Sequence, residues 1–154
     1  MRMGNTTFTI SVPTDNEGYV LLRCPICEEL FKLIPEDYRS DDVFCIYCPG
    51  CGITSDSYVT EDIIKLARAM AENYAMDTVM AGLKKLESKT KNDFVKYKIK
   101  NKPKRKNELP IQMSIEALRE KNFMCCNKRA KIKPILGMSG CFCPYCGVMD
   151  DENE

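Results

Sequence analysis

The chain has 154 residues, ten cysteines, no histidine, no tryptophan and a formal net charge of +1. That length suits one domain or two very small ones, and a cysteine share of about 6% falls below that of a short disulfide scaffold. The missing histidines remove imidazole acid–base chemistry and every zinc catalytic site that uses His ligands.

No apolar run approaches a membrane span, and no apolar core follows Arg2 to make a secretory signal. The expected location is therefore cytoplasmic, where clustered cysteines bind metal more often than they pair. The charge is uneven. Residues 89–106 hold nine basic side chains and one acid, Asp93, so the rest of the chain is acidic.

In chain order, residues 6–12 alternate apolar and polar and predict a half-buried strand. Asp15, Asn16, Glu17 and Gly18 read as a turn. Residues 19–23 form a second strand that leads into Cys24, residues 30–34 a strand closed by Pro35, and residues 43–47 a returning strand. Thr60, Glu61 and Asp62 open a helix with a capping hydroxyl and acids in its first turn. Ile63, Ala67, Met70, Tyr74, Val79, Leu83 and Leu86 carry its apolar stripe to about Ser88. Such a helix is roughly 40 Å long, more than two small ribbons could cover, so it packs on the second half of the chain or on another copy. Residues 93–100 switch to a period of two, with Val95, Tyr97 and Ile99 on one face and Lys96, Lys98 and Lys100 on the other. Lys102 to Asn107 reads as an exposed basic loop. Ser114 caps a short helix ending near Asn122, and residues 150–154 make an acidic tail.

The expected class is α+β, with two small zinc-ribbon β units flanking a long helix and a lysine-rich strand. The segments are 1–58 (hairpin and first ribbon), 59–89 (helix), 90–110 (basic strand and loop), 111–149 (short helix and second ribbon) and 150–154 (tail).

The chemistry lies in the cysteines. Two residues between cysteines put both sulfurs on one side of a turn. A glycine after the second cysteine permits the positive φ that aims main-chain N–H groups at sulfur. Cys24-Pro25-Ile26-Cys27 meets the spacing, and Cys48-Pro49-Gly50-Cys51-Gly52 meets both demands. Cys45 and Cys48 share that spacing, but Pro49 and Gly52 favour Cys48 with Cys51, leaving Cys45 as a buried strand residue. The second set is Cys125 and Cys126 with Cys143-Pro144-Tyr145-Cys146-Gly147. Adjacent cysteines point apart, so Cys141 is an alternative fourth ligand.

Cys143 to Cys146 also matches the glutaredoxin active-site tetrapeptide. That motif opens a helix inside a larger sheet domain, and eight residues follow Cys146, so dithiol catalysis is not expected.

Residues 23–52, and less regularly 123–148, resemble the zinc ribbons of transcription factors and RNA polymerase subunits, with rubredoxin-like knuckles. The resemblance implies a four-thiolate site at Cys24, Cys27, Cys48 and Cys51 and a related one at Cys125, Cys126, Cys143 and Cys146. Each would hold a structural Zn2+, with iron as the alternative, and the resemblance implies no particular activity.

No phosphate loop or nucleophile motif is present, so no enzyme is expected. The leading functional expectation is nucleic-acid binding. Lys96, Lys98, Lys100, Lys102, Lys104, Arg105 and Lys106 would contact phosphates with salt-sensitive affinity. The alternative is a protein-interaction adaptor or a subunit of a larger complex, which would meet a protein partner or form a homo-oligomer through helix 60–88. No membrane or small-molecule partner is expected.

Overall fold

The computed structural model describes residues 6–89, 103–111 and 117–151. In chain order the elements are β1 (Val20–Arg23), β2 (Leu30–Leu33), α1 (Pro35–Tyr38), α2 (Glu61–Lys89), β3 (Arg119–Phe123), β4 (Lys128–Ile132), α3 (Pro134–Ser139), β5 (Cys141–Phe142) and β6 (Met149–Asp150). The fold is α+β, and along the chain the cysteine clusters flank the long helix. Two compact units are present. Met1–Ile10 and Asp62–Pro110 make one, and Ser11–Glu61 and Ile111–Glu154 make the other.

The second unit holds both cysteine clusters. Its four-stranded antiparallel sheet has the order β1-β2-β4-β3, so each half of the chain donates a hairpin. The two hairpins have one design. Arg23 pairs with Leu30 across the first and Asn122 with Arg129 across the second. Glu28 and Asn127 both take positive φ, +63° and +53°, at the same place in the turn. Phe31 and Leu33 are buried on the core face, and Ala130 and Ile132 repeat them. Pro35 and Pro134 then open short helices at the position that tolerates a missing N–H.

A pseudo-twofold axis relates the halves. It passes through the Lys32–Lys131 pair where β2 meets β4, and each lysine is the counterpart of the other. Two ammonium groups side by side would repel, and one carboxylate prevents this. Asp15 Oδ2 accepts from Lys32 at 3.3 Å and from Lys131 at 2.9 Å. Burial alone would raise the Asp15 carboxyl, but Lys131, the N–H groups of Tyr19 and Glu17, and Lys32 together hold it down at about 2. Lys131 also meets Glu17 at 2.6 Å and lies 4.5 Å from the Tyr19 ring centroid.

In the other unit, α2 is built from strong helix formers, with Gly82 as its one glycine and no proline. Asn73 is the only fully buried side chain among its described residues. Its amide donates to Lys106 O at 3.0 Å and Glu108 Oε1 at 2.7 Å and accepts from Lys106 N at 2.7 Å. That reciprocal clamp holds the segment after residue 103 against the helix. At the next position, Tyr74 meets the Phe8 ring edge-on at 5.5 Å and accepts from Thr6 Oγ1 at 2.7 Å.

Several expected elements differ. Residues 6–12 form no strand; Thr6 and Phe8 serve as side-chain contacts to Tyr74 instead. The return over 43–47 is reduced to a single bridge, Tyr47 with Thr54. The helix expected to end near Asn122 gives way to β3, because Lys121 and Phe123 pair with Ala130 and Lys128; tertiary pairing overrides local propensity there. Asp150 belongs to β6, opposite Cys141, and its carboxylate lies 3.6 Å from Lys121 Nζ. The lysine strand over 93–100, Lys102 and residues 112–116 lie outside the described residues.

Candidate metal centres

Three of the four turns that carry the sulfurs share one main-chain pattern. The first cysteine's N–H donates to the carbonyl five residues on, and its own carbonyl accepts from the N–H four residues on. Cys24 does this with Glu29 and Glu28 (2.8 and 3.0 Å), Cys48 with Ile53 and Gly52 (3.1 and 2.8 Å), and Cys143 with Val148 and Gly147 (2.8 and 2.9 Å). Gly52 and Gly147 supply the positive φ, +70° and +72°. Inside the loop an N–H group turns towards sulfur: Ile26 N donates to Cys24 Sγ at 3.4 Å.

The fourth turn keeps the frame and moves the ligand. By register, Phe123 stands where Cys24 stands, Cys126 matches Cys27, and Cys125 takes the place of Ile26. Phe123 is fully buried in the core, so the second centre recruits Cys125 from the next outward-facing position. This resolves the geometry of the adjacent pair. Both neighbours reach the same cluster, in a turn that Asn127 closes with its left-handed φ.

Cys24, Cys27, Cys48 and Cys51 form one group of four sulfurs and Cys125, Cys126, Cys143 and Cys146 another, with all sulfurs of a group within 4.8 Å. The separations are 3.8 Å for Cys24–Cys51, 3.4 Å for Cys27–Cys48, 3.4 Å for Cys126–Cys143, 3.3 Å for Cys125–Cys146 and 4.0 Å for Cys125–Cys126. A tetrahedral ion with bonds of about 2.3 Å sets its sulfurs about 3.8 Å apart, whereas a disulfide needs about 2 Å. No disulfide joins any of the ten cysteines. Cys45 and Cys141 belong to neither group.

The thiol acidities fit the same picture. Burial opposes ionisation of Cys24, yet the N–H groups of Cys27 and Ile26 and the neighbouring thiols bring it down to about 7. Burial drives Cys48 and Cys27 up. In the other centre Cys146 is lowered despite burial, by the Val148 N–H and the surrounding thiols, while burial and the Cys146 sulfur push Cys125 up to about 11 and burial raises Cys143. One thiolate is thus favoured in each cluster, Cys24 or Cys146, while burial opposes ionisation of Cys27 and Cys48 in the first and of Cys125 and Cys143 in the second. A dication removes that resistance.

The centres interlock. Tyr47 N donates to Pro144 O at 2.9 Å, and its counterpart Phe142 N donates to Pro49 O at 3.0 Å. A Cβ on Gly52 would lie 3.0 Å from the Phe142 ring, and one on Gly147 would lie 2.7 Å from the Tyr47 ring. Each half's aromatic residue packs over the other half's metal loop, where a side chain would block it. These aromatics were readable in the sequence. Tyr47 and Phe142 each sit immediately before a Cys-Pro-x-Cys-Gly run.

Of the expected basic row, three residues are described. Arg105 lies 3.4 Å from Asp77 and Lys106 3.8 Å from Glu72, while Lys104 is exposed. Among the described residues, no helix is long and apolar enough to cross a membrane. Comparison with family models, with curated proteins and with solved structures finds no match to this chain. The zinc-ribbon likeness therefore stands on the cysteine geometry itself.

Proposed function

We propose that this chain is a non-catalytic, zinc-stabilised protein of the cytoplasm that docks to another protein through its long helix. Zinc suits a set of four sulfurs with no carboxylate or carbonyl among them. Four protein thiolates fill the shell, leaving no place for an activated water. The ions would then supply folding energy that the small core lacks. Phe31, Leu33, Phe123 and Ile132 are fully buried, but each contributes only about 2 kcal/mol, against an ordering cost of about 1–2 kcal/mol for every residue fixed.

The observation that carries the docking reading is the helix. Its sole fully buried described side chain is Asn73, and Ile64, Val79 and Leu86 are 45%, 61% and 55% exposed. The test combines metal analysis with light scattering on the purified chain. About two zinc ions per chain and a mass above the monomer, or a stable complex with a defined partner, support the proposal. An iron chromophore would replace zinc with iron, and a metal-free folded chain would end the reading.

A second reading, contact with nucleic-acid phosphates, is favoured by the basic loop. Lys104 is exposed, and the Arg105 and Lys106 side chains, 65% and 64% exposed, pair with carboxylates that are themselves exposed, where such pairs hold weakly and can yield to phosphate. An anisotropy titration across salt tests it: affinity should fall steeply with salt and be lost when Lys96, Lys98, Lys100, Lys102, Lys104, Arg105 and Lys106 become Gln.

A further inference from the structure

The two candidate centres meet at the pseudo-twofold axis. Tyr47 N donates to Pro144 O at 2.9 Å, and Phe142 N donates to Pro49 O at 3.0 Å. These two bonds run residues 47–49 antiparallel to 142–144, with Cys48 of one centre opposite Cys143 of the other. Cys48 and Cys143 are fully buried and share one hydrophobic cluster with Cys24. Pro49 and Pro144, each directly after a ligand, are fully buried as well.

Each metal loop is therefore part of the other's support. The Pro144 carbonyl lies inside the second loop, and its donor is the residue just before Cys48. The Pro49 carbonyl lies inside the first loop, and its donor is the residue just before Cys143. The side chains repeat the exchange, with the Tyr47 ring over Gly147 and the Phe142 ring over Gly52. Ordering such a loop costs conformational entropy for every residue fixed. Sulfurs gathered at the first centre fix residues 47–49, and with them the N–H and the ring that the second loop needs. The second loop then orders with part of that cost already met. The coupling is reciprocal, so the same holds when the second centre fills first.

We infer that Tyr47 and Phe142 are positioning residues that couple the two centres, so that the chain takes up its two ions cooperatively. The inference rests on the metal assignment above and adds its regulation: the chain passes between an empty and a doubly filled form over a narrow range of free zinc.

Native mass spectrometry of the full chain, titrated with zinc against a competing chelator, counts the chains that hold no ion, one or two. At half-saturation, two independent centres leave about half of the chains or more with a single ion, whatever their separate affinities, whereas tenfold coupling of equal centres lowers that share to about a quarter. Cys48→Ser, which disables the first centre, should weaken zinc binding at the second roughly tenfold. With Tyr47→Ala and Phe142→Ala already in place, Cys48→Ser should barely change the second centre. Tyr47→Phe, which keeps the ring over Gly147, should preserve the full effect. A packing loss alone would weaken both centres and leave the Cys48→Ser effect intact. A single-ion share of half or more, or a second centre indifferent to Cys48→Ser, would overturn the coupling and leave two independent zinc centres. A chain that takes up no zinc would overturn the metal assignment and the coupling together.

Discussion

The two ribbons share a frame and differ at one ligand. In the first, Cys24 sits at the end of β1 and its sulfur takes N–H donors from the loop that follows. In the second, the same place holds Phe123, whose ring fills the core, and the sulfur comes from Cys125. The frame survives the exchange because the strand register and the left-handed residue closing the turn, Glu28 or Asn127, set the loop. Cysteine then occupies whichever position of that loop faces the ion. The cost falls on exposure, since Cys24 is buried and Cys125 is exposed.

The largest effect should come from the ions themselves. Chelation of both should unfold the two ribbons together, since each structural zinc supplies on the order of 10 kcal/mol; near-UV circular dichroism would follow the loss. Cys48→Ser should cut the metal content from two ions to about one. Because Tyr47 lies over Gly147, it should also speed chelator extraction of the remaining ion. Extraction at the wild-type rate would separate the two centres.

Moving the ligand back sharpens the contrast between the halves. Cys125→Ser should release the second ion. Phe123→Cys combined with Cys125→Ile should rebind it in the geometry of the first centre, at a stability cost of about 3 kcal/mol for the lost ring. Metal stoichiometry and denaturant melts of the two variants read both effects.

At the axis, Asp15→Asn should cost about 2 kcal/mol at pH 7 by leaving Lys32 and Lys131 without their shared anion. The folded carboxyl lies below its ordinary value. Its contribution is therefore complete above about pH 4 and is lost as pH falls towards 2. Urea titration of wild type and variant checks the difference. The smallest change is Gly147→Ala, expected to cost about 1–2 kcal/mol from its positive φ, plus whatever the Tyr47 ring must yield. Its signature should be faster metal loss at the second centre.

The cysteine spacing marked the turns at Cys24, Cys48 and Cys143, because a knuckle is a local object whose ligands lie within a few residues of one another; the adjacent pair Cys125 and Cys126 lacks that spacing, and its place in the second group came from the structure. The strands β1 and β2 were legible for the same reason, and their register came from the structure. Arg119 to Phe123 was misread as the end of a helix because its strand character comes from β4, several residues away in sequence and adjacent in space. The union of the ribbons was hidden further. It depends on β2 meeting β4 across the whole intervening helix, and on Asp15, which reads locally as a turn residue and acts as the counter-ion at the axis. The repeated aromatic before Cys48 and Cys143 was the available clue.

The pseudo-twofold arrangement has one more consequence. The strand-to-strand and aromatic-to-glycine contacts that join the halves are of a sort that two identical chains could make with each other. Carrying both copies on a single polypeptide turns that association into an intramolecular event. The effective concentration is then set by the tether, so the paired ribbons assemble just as readily in a dilute solution as in a crowded one. A single-chain arrangement also frees the halves to diverge, which is how one axis can carry a lone aspartate and one knuckle a phenylalanine.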